Sequence, residues 1–133
     1  MKPSLFALAA FATLASAAPV AAHHSHAMYD ASGEIQIQGA IKEVRWANPH
    51  VWLYIYVANP DGTTKVWALE GAAIGQLQRK GWTGDMLKVG SNIKISCYPL
   101  RSGGPGCLGG YVLALDGQDL PATHERHPGR EFD

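Results

Sequence analysis

Three histidines cluster near the start of the chain, in the stretch "HHSHAM". They are His23, His24 and His26, and Met28 follows them. Neutral imidazole is the commonest metal ligand in proteins and suits copper, zinc and nickel, while a thioether favours Cu(I). The pattern predicts a transition-metal site, with copper as the first candidate and zinc or nickel behind it. The alternative is a polar leader that only stays soluble, because a histidine-rich tract indicates metal binding by composition alone.

The residues before this cluster have the pattern of an export signal. Lys2 supplies a positive charge, residues 5–18 form an apolar run, and small residues follow. The run has about 14 residues, which is shorter than the roughly 20 that a membrane-spanning helix needs. Residues 1–22 are therefore predicted to be a signal peptide. The protein would be periplasmic or secreted, with no integral membrane segment after the signal is removed.

The cleavage point decides what the histidines can do. Cleavage after Ala22 is favoured, and the free amine and the imidazole of His23 could then chelate one metal ion together. If Ala22 were the first residue, His24 would stand at position three. The amine, two amides and that imidazole would then form the square-planar set preferred by Cu(II) or Ni(II). Cleavage after Ala17 also fits the small-residue rule and would remove the amine from either arrangement.

Two residues of the folded domain are candidate partners for the cluster. His50 follows Pro49 at the start of a predicted strand, and Glu70 ends another strand before Gly71. If the N-terminal segment folds back across the domain, these two side chains are expected to complete the metal site. The alternatives are local: His50 would hydrogen-bond the Asn48 side chain or a carbonyl, and Glu70 would favour the N-terminus of the next helix.

An aromatic strand face is the competing site. Trp52, Tyr54 and Tyr56 alternate along one strand, with Trp67 on the next. Such faces stack sugars or bases in oligonucleotide/oligosaccharide-binding (OB) barrels. The face predicts a metal-free interaction module for a protein, peptide or glycan, unless other parts of the chain cover it.

Charge and motifs narrow the function classes. The chain has 11 basic and 11 acidic side chains, and Lys2 is the only one of them within the predicted signal peptide. A net charge so near zero lacks the excess of basic side chains that nucleic-acid-binding proteins use to contact phosphates. The partner expected first is a metal ion, and another periplasmic protein is the further candidate. No nucleophile motif, phosphate loop or convincing carboxylate pair occurs, so the sequence favours binding without catalysis and leaves a copper oxidase as the catalytic alternative.

The two cysteines, Cys97 and Cys107, flank a loop rich in glycine and proline, "YPLRSGGPG". In an oxidising compartment the default for such a pair is a disulfide. A closed loop of about ten residues would stabilise the fold by roughly 2–3 kcal/mol. A thiolate metal pair is the alternative, although zinc sites use closer cysteine spacings or further ligands.

Hydrophobic alternation predicts the elements that carry these side chains. Strands are expected in "EIQIQGAIKEVRW", "HVWLYIYVA", "TTKVWALE", "LKVGSNIKISCY" and "GYVLALDGQDL", with a helix in "AAIGQLQRKG". The order predicts a mainly β fold: a small five-stranded OB-like β-barrel over residues 34–120, with one short helix between strands three and four. A half-open barrel or a meander with a helical lid is the alternative.

Two segments outside the barrel are also predicted. Residues 23–33 would be a histidine-rich N-terminal segment. Residues 121–133, which carry His124 and His127, would be a polar and flexible tail.

Several stretches taken together resemble one family. "HHSHAMYD", "WANPHVWLYIYV", "DGTTKVWALEG", "LQRKGW" and "LKVGSNIKI" occur in the order typical of the domain of unknown function 6152 group of uncharacterised exported bacterial proteins. The resemblance covers about residues 22–120. It implies export and a small β domain and brings no established activity. His26 stands where such relatives usually have an aromatic residue, and the cysteine pair looks like a local addition.

Overall fold

The structure is a computed structural model that describes residues 26–119 and Phe132. Its first five strands and one α-helix follow the predicted order, and a short sixth strand comes after them. The strands are β1 Ile35–Arg45, β2 Trp52–Ala58, β3 Thr64–Glu70, β4 Asn92–Pro99, β5 Gly106–Leu115 and β6 Gln118–Asp119. The helix α1 spans Ile74–Arg79, between β3 and β4, and single 3-10 turns span His26–Met28 and Gly84–Met86.

Five of the strands close into a barrel. Antiparallel pairs join β1 to β2, β2 to β3, β1 to β4 and β4 to β5, and a parallel pair joins β3 to β5. This closure, with the helix between β3 and β4, confirms the predicted five-stranded OB-like barrel. The two-residue strand β6 extends the outer edge of β5 and was not predicted as a separate strand.

The core follows the predicted alternation. Val51, Leu53 and Ile55 are fully buried, and so are alternate residues of β4, ending at Cys97. In β1 the register to β2 shifts between Ile41 and Glu43, which marks a β-bulge. The extra residue explains the change of parity in the β1 sequence.

The connection between β1 and β2 is tied to the helix. Ala73 precedes α1 and has no side-chain oxygen to accept from the free N–H groups of the first turn. The Asn48 side chain takes that role, because its Oδ1 accepts a hydrogen bond from the Ile74 N–H at 3.0 Å. At the other end Gly81 has φ +91°, which suits the end of a helix. The turn before His50 is therefore held by a long-range contact.

The predicted disulfide between Cys97 and Cys107 is present, with a Cα–Cα distance of 5.8 Å. Both cysteines are fully buried. The bond joins β4 to β5 at the base of the intervening loop, and Cys107 is also aligned with Leu69 of β3. It therefore reinforces the barrel next to Glu70.

The chain termini lie mostly outside the described residues. Among the described residues, no helix has the length and apolar composition of a membrane span. The predicted signal peptide and most of the predicted tail are not described. Phe132 is the exception, and it is fully buried in the core cluster, which the polar composition around it did not predict.

Candidate functional site

The described N-terminal segment lies along the loop that follows β4. Tyr29 forms a β-bridge with Leu100. On either side of it, the Asp30 N–H donates to the Pro99 carbonyl at 2.8 Å, and the Arg101 N–H donates to the Met28 carbonyl at 2.9 Å. These backbone bonds hold the segment in an extended path against the barrel and direct Tyr29 across it.

Tyr29, His50 and Glu70 meet in one cluster, which we call the carboxylate cluster. The Tyr29 hydroxyl donates a hydrogen bond to Glu70 Oε2 at 2.7 Å. The other carboxylate oxygen, Oε1, contacts Nδ1 of His50. Three parts of the chain thus converge on one side chain: the N-terminal segment, the turn before β2 and the end of β3. The N-terminal segment reaches Glu70 through Tyr29, a residue that the sequence did not single out.

Glu70 is buried although it stands on the outer side of the sheet. The strand register pairs it with Trp52 on β2 and with Leu108 on β5, and its exposed fraction is only 3%. The cover includes Tyr29, itself 4% exposed. A buried carboxylate is costly unless polar partners satisfy it; Tyr29 donates a hydrogen bond to one of its oxygens, and the His50 ring contacts the other.

The cluster changes the acidity of the phenol. Burial, followed by the hydrogen bond to Glu70 and the charge of that carboxylate, raises the pKa of Tyr29 well above its ordinary value of 10.0. All three causes act in the same direction, because each one disfavours a phenolate. The Tyr29 hydroxyl therefore keeps its proton at neutral pH and donates it to the hydrogen bond with Glu70.

His50 is only partly enclosed. Its side chain is 25% exposed, whereas its Nδ1 atom is buried against the carboxylate. With the proton on Nδ1, the imidazole donates to Glu70 and keeps a lone pair on Nε2. Within residues 26–119, no hydrogen bond to Nε2 is present. The Asn48 side chain, one of the local partners suggested for His50, contacts α1 instead.

The predicted metal ligands divide into three groups. His50 and Glu70 are in contact. His26 and Met28 are exposed on the 3-10 turn next to Tyr29. His23 and His24 lie outside the described residues. In the part of the chain that is described, no three His, Cys, Asp or Glu side chains converge as a metal site.

The aromatic residues do not form one surface. Trp52, Tyr54 and Tyr56 share the outer face of β2, and Tyr56 is 44% exposed. Trp67 is aligned with Ile55, whose side chain points into the barrel, and it packs against the core. Residues opposite each other in an antiparallel pair share a face. Trp67 is therefore on the other side of the sheet and is not brought together with the outer aromatic residues.

Sequence reasoning missed two side chains at this end of the barrel. One is Tyr29, which lies inside the quoted motif "HHSHAMYD". The need of a buried carboxylate for donors could have drawn attention to it. The other is Phe132, the only large apolar residue after residue 120. A single large apolar residue in a polar stretch was the one sign in the sequence that Phe132 is buried.

Comparison with known proteins assigns the chain to a family. No curated protein and no solved structure matches the chain. The family of unknown function DUF6152 matches residues 10–109, a range that includes all three residues of the carboxylate cluster and ends before Phe132. The chain therefore belongs to the DUF6152 family.

Proposed function

We propose that this protein is an exported carrier that binds one transition-metal ion, copper in the first place, for capture or delivery without turnover. His50 supplies the ligand from the barrel through Nε2. The histidines of the N-terminal segment, His23, His24 and His26, supply the remaining nitrogen ligands. Met28 offers a thioether when the metal is Cu(I).

The contact between His50 and Glu70 is the observation that carries the proposal. Metal-binding histidines almost always donate their second ring N–H to a carboxylate or carbonyl. That bond sets the tautomer, orients the ring and makes the free nitrogen a better ligand. Glu70 has both oxygens engaged, one by His50 and one by Tyr29. We therefore assign it to the support of His50, whereas the sequence suggested a direct ligand.

The position of Tyr29 supports a role for the histidines of the N-terminal segment. His26 is three residues before Tyr29, and the intervening 3-10 turn rises by about 2 Å per residue, or about 6 Å in all. His23 is three residues further away, which adds at most about 11 Å of extended chain. Because Tyr29 and His50 contact the same carboxylate, the chain between Tyr29 and His23 is short enough for the histidines of the N-terminal segment to reach His50. We assign the remaining ligands to this segment because its histidines are the closest in sequence to Tyr29, which already contacts Glu70.

The test is a metal titration of the exported protein without an affinity tag. The form that begins at His23 is expected to bind one Cu(II) ion, and one Cu(I) ion under a reductant. Replacement His50→Ala is expected to weaken binding strongly, and Glu70→Gln by about 10- to 100-fold, as for other supporting residues. The matched control is the double replacement of His124 and His127 by Ala, which should leave affinity unchanged. Equal affinity in wild type and His50→Ala would refute the role of the barrel, and absence of tight binding in wild type would refute the function.

A second candidate function rests on the exposed part of the β2 face. Tyr56 is 44% exposed and is aligned with Val66, which is 36% exposed. Next to them, the Arg45 guanidinium lies 5.1 Å from the centre of the Tyr54 ring. This surface would stack a glycan. Titration with soluble oligosaccharides, followed by protein fluorescence, should then respond to Tyr56→Ala and not to His50→Ala. A response to neither replacement, or no response in wild type, would refute this candidate.

A further inference from the structure

Phe132, the residue before the C-terminus, is built into the barrel. It is fully buried, and its ring meets Trp82 edge-on, with centroids 5.7 Å apart and an interplanar angle of 86°. Its backbone is also paired on both sides. The Phe132 N–H donates to the Gly110 carbonyl at 2.7 Å, and the Phe132 carbonyl accepts from the Ala72 N–H at 2.9 Å. Phe132 thus acts as one residue of strand between β5 and the segment after β3.

Two glycines make room for the Phe132 ring. A Cβ atom on Gly109 would lie 3.0 Å from Cδ1 of Phe132 and 3.1 Å from the Glu70 carbonyl oxygen. A Cβ atom on Gly71 would collide with the ring itself. The groove is therefore shaped for an aromatic side chain on an extended backbone. We call Phe132 and its two backbone bonds the C-terminal anchor.

The anchor is one hydrogen-bonded step from the carboxylate cluster. The Gly71 N–H donates to the Val51 carbonyl at 2.7 Å, and the Val51 N–H donates to the Ala72 carbonyl at 3.0 Å. Gly71 directly follows Glu70, and Val51 directly follows His50. Phe132 therefore holds, from the other side, the short backbone segment that sets the relative position of these two side chains.

We infer that Phe132 is a positioning residue for the His50–Glu70 pair, because it completes the backbone support of the site. The part of this inference that concerns metal affinity rests on the proposed function, while the part that concerns the pair does not. A packed aromatic ring and two backbone bonds restrict the Gly71–Ala72 segment. Without them that segment would sample other positions, and His50 would lose its fixed contact with the carboxylate.

The first test uses the full exported chain and needs no metal. Amide hydrogen exchange at Ala72 and Val51 is compared in wild type, Phe132→Ala and Phe132→Leu. Exchange at both amides should be at least about tenfold faster in Phe132→Ala and intermediate in Phe132→Leu, because leucine fills part of the groove. The NMR signal of the His50 ring proton on Nδ1 should broaden or disappear in the same order. Should Phe132→Ala not fold, Phe132→Leu decides the question alone.

The matched control is Ile93→Ala. Ile93 is 1% exposed and is aligned with Leu115, at the end of β5 away from the cluster. This variant loses a buried side chain as well, but it should keep the His50 ring signal and the protection of Ala72 relative to other strand amides. Equal effects of Ile93→Ala and Phe132→Leu on these readouts would overturn the inference, because Phe132 would then act only through global stability.

The second test separates this inference from the proposed function. If wild type binds copper, Phe132→Leu should bind it more weakly than Ile93→Ala does, by about tenfold. Equal copper affinity in the two variants would overturn the inference, whatever the exchange results. If wild type binds no metal, the proposed function is lost, and the exchange and ring-proton measurements still decide whether Phe132 positions the pair.

Discussion

The outer face of β2 and β3 has two ends that differ in what covers them. At one end Trp52 is paired with Glu70, and the N-terminal segment lies over the carboxylate, so that Glu70 is 3% exposed. At the other end Tyr56 is paired with Val66, and these side chains are 44% and 36% exposed. We refer to them as the covered end and the open end.

The difference shows that strand alternation alone does not decide burial on an outer face. Both ends obey the same period of two, and an outer position is ordinarily polar and solvated. At the covered end a distant segment removes a carboxylate from water and supplies its hydrogen bonds. At the open end no such cover is present among the described residues, and apolar side chains remain accessible. Of the two ends, the covered end is therefore the one where the described residues hold a fixed, desolvated group.

The largest expected change in stability comes from removal of the disulfide, which lies next to the covered end. Replacement of both Cys97 and Cys107 by Ser should lower the free energy of unfolding by about 2–3 kcal/mol, because the loop between them is no longer closed in the unfolded chain. Chemical denaturation measures this. Ser102→Ala, in the same loop, is the control and should change stability by less than about 0.5 kcal/mol. An unchanged midpoint in the double variant would contradict the assignment of the bond as a stabilising link.

The next largest change in stability is expected from the loss of one tyrosine hydroxyl, which can be tested separately at each end. Tyr29→Phe removes the donor to the buried carboxylate and should cost about 1.5–3 kcal/mol, the range for hydrogen bonds to charged groups. Tyr56→Phe removes an exposed hydroxyl and should cost less than about 0.5 kcal/mol. Denaturation of the two variants side by side is the measurement. Similar losses for both would mean that the covered end does not depend on the Tyr29 bond.

The smallest expected effect is a pH dependence of the free energy of unfolding that comes from Tyr29 at the covered end. The pKa of Tyr29 is raised in the folded state, while in the unfolded state it is near 10. Above about pH 10 the unfolded state therefore loses a proton that the folded state keeps. The free energy of unfolding should then fall with rising pH, by up to about 1.4 kcal/mol per pH unit from this group.

Variants isolate that contribution to the alkaline slope. In Tyr29→Phe the decline above pH 10 should be shallower than in wild type, whereas Tyr56→Phe should decline as wild type does. Stability curves from pH 8 to pH 11 provide the comparison. A slope unaffected by Tyr29→Phe would show that the phenol ionises equally in both states, contrary to its placement against Glu70.

Much of the fold could be predicted because its signals are local. The alternation of Val51, Leu53 and Ile55 predicted the strongest strand and its inner face, and the spacing of Ile74 and Leu77 predicted α1. The compartment expected for the chain predicted the pairing of Cys97 with Cys107. The parallel pair of β3 and β5, which closes the predicted barrel, has no local signal in the sequence, since two strands separated by a helix and another strand carry no local mark of being neighbours.

The site could be predicted only in part. His50 and Glu70 were identified from their residue types next to strand ends, as partners of the N-terminal segment, but their contact with each other was not foreseen. The role of Tyr29 was not foreseen, because it depends on a contact across 41 residues. Trp67 was grouped with Trp52, although the register places it on the inner face. The metal ligands before residue 26 remain a prediction.

By itself the sequence determined which residues are apolar, at which period they recur and where turns interrupt them. Those properties act over a few residues, and they were enough for a small barrel with one helix. Only the tertiary structure decided that an outer glutamate is buried, that a tyrosine and a histidine satisfy it, and that Phe132 supports the backbone behind it. The reason is physical: desolvation and hydrogen bonding depend on what lies within a few ångströms in space, and the register of distant segments sets those neighbours.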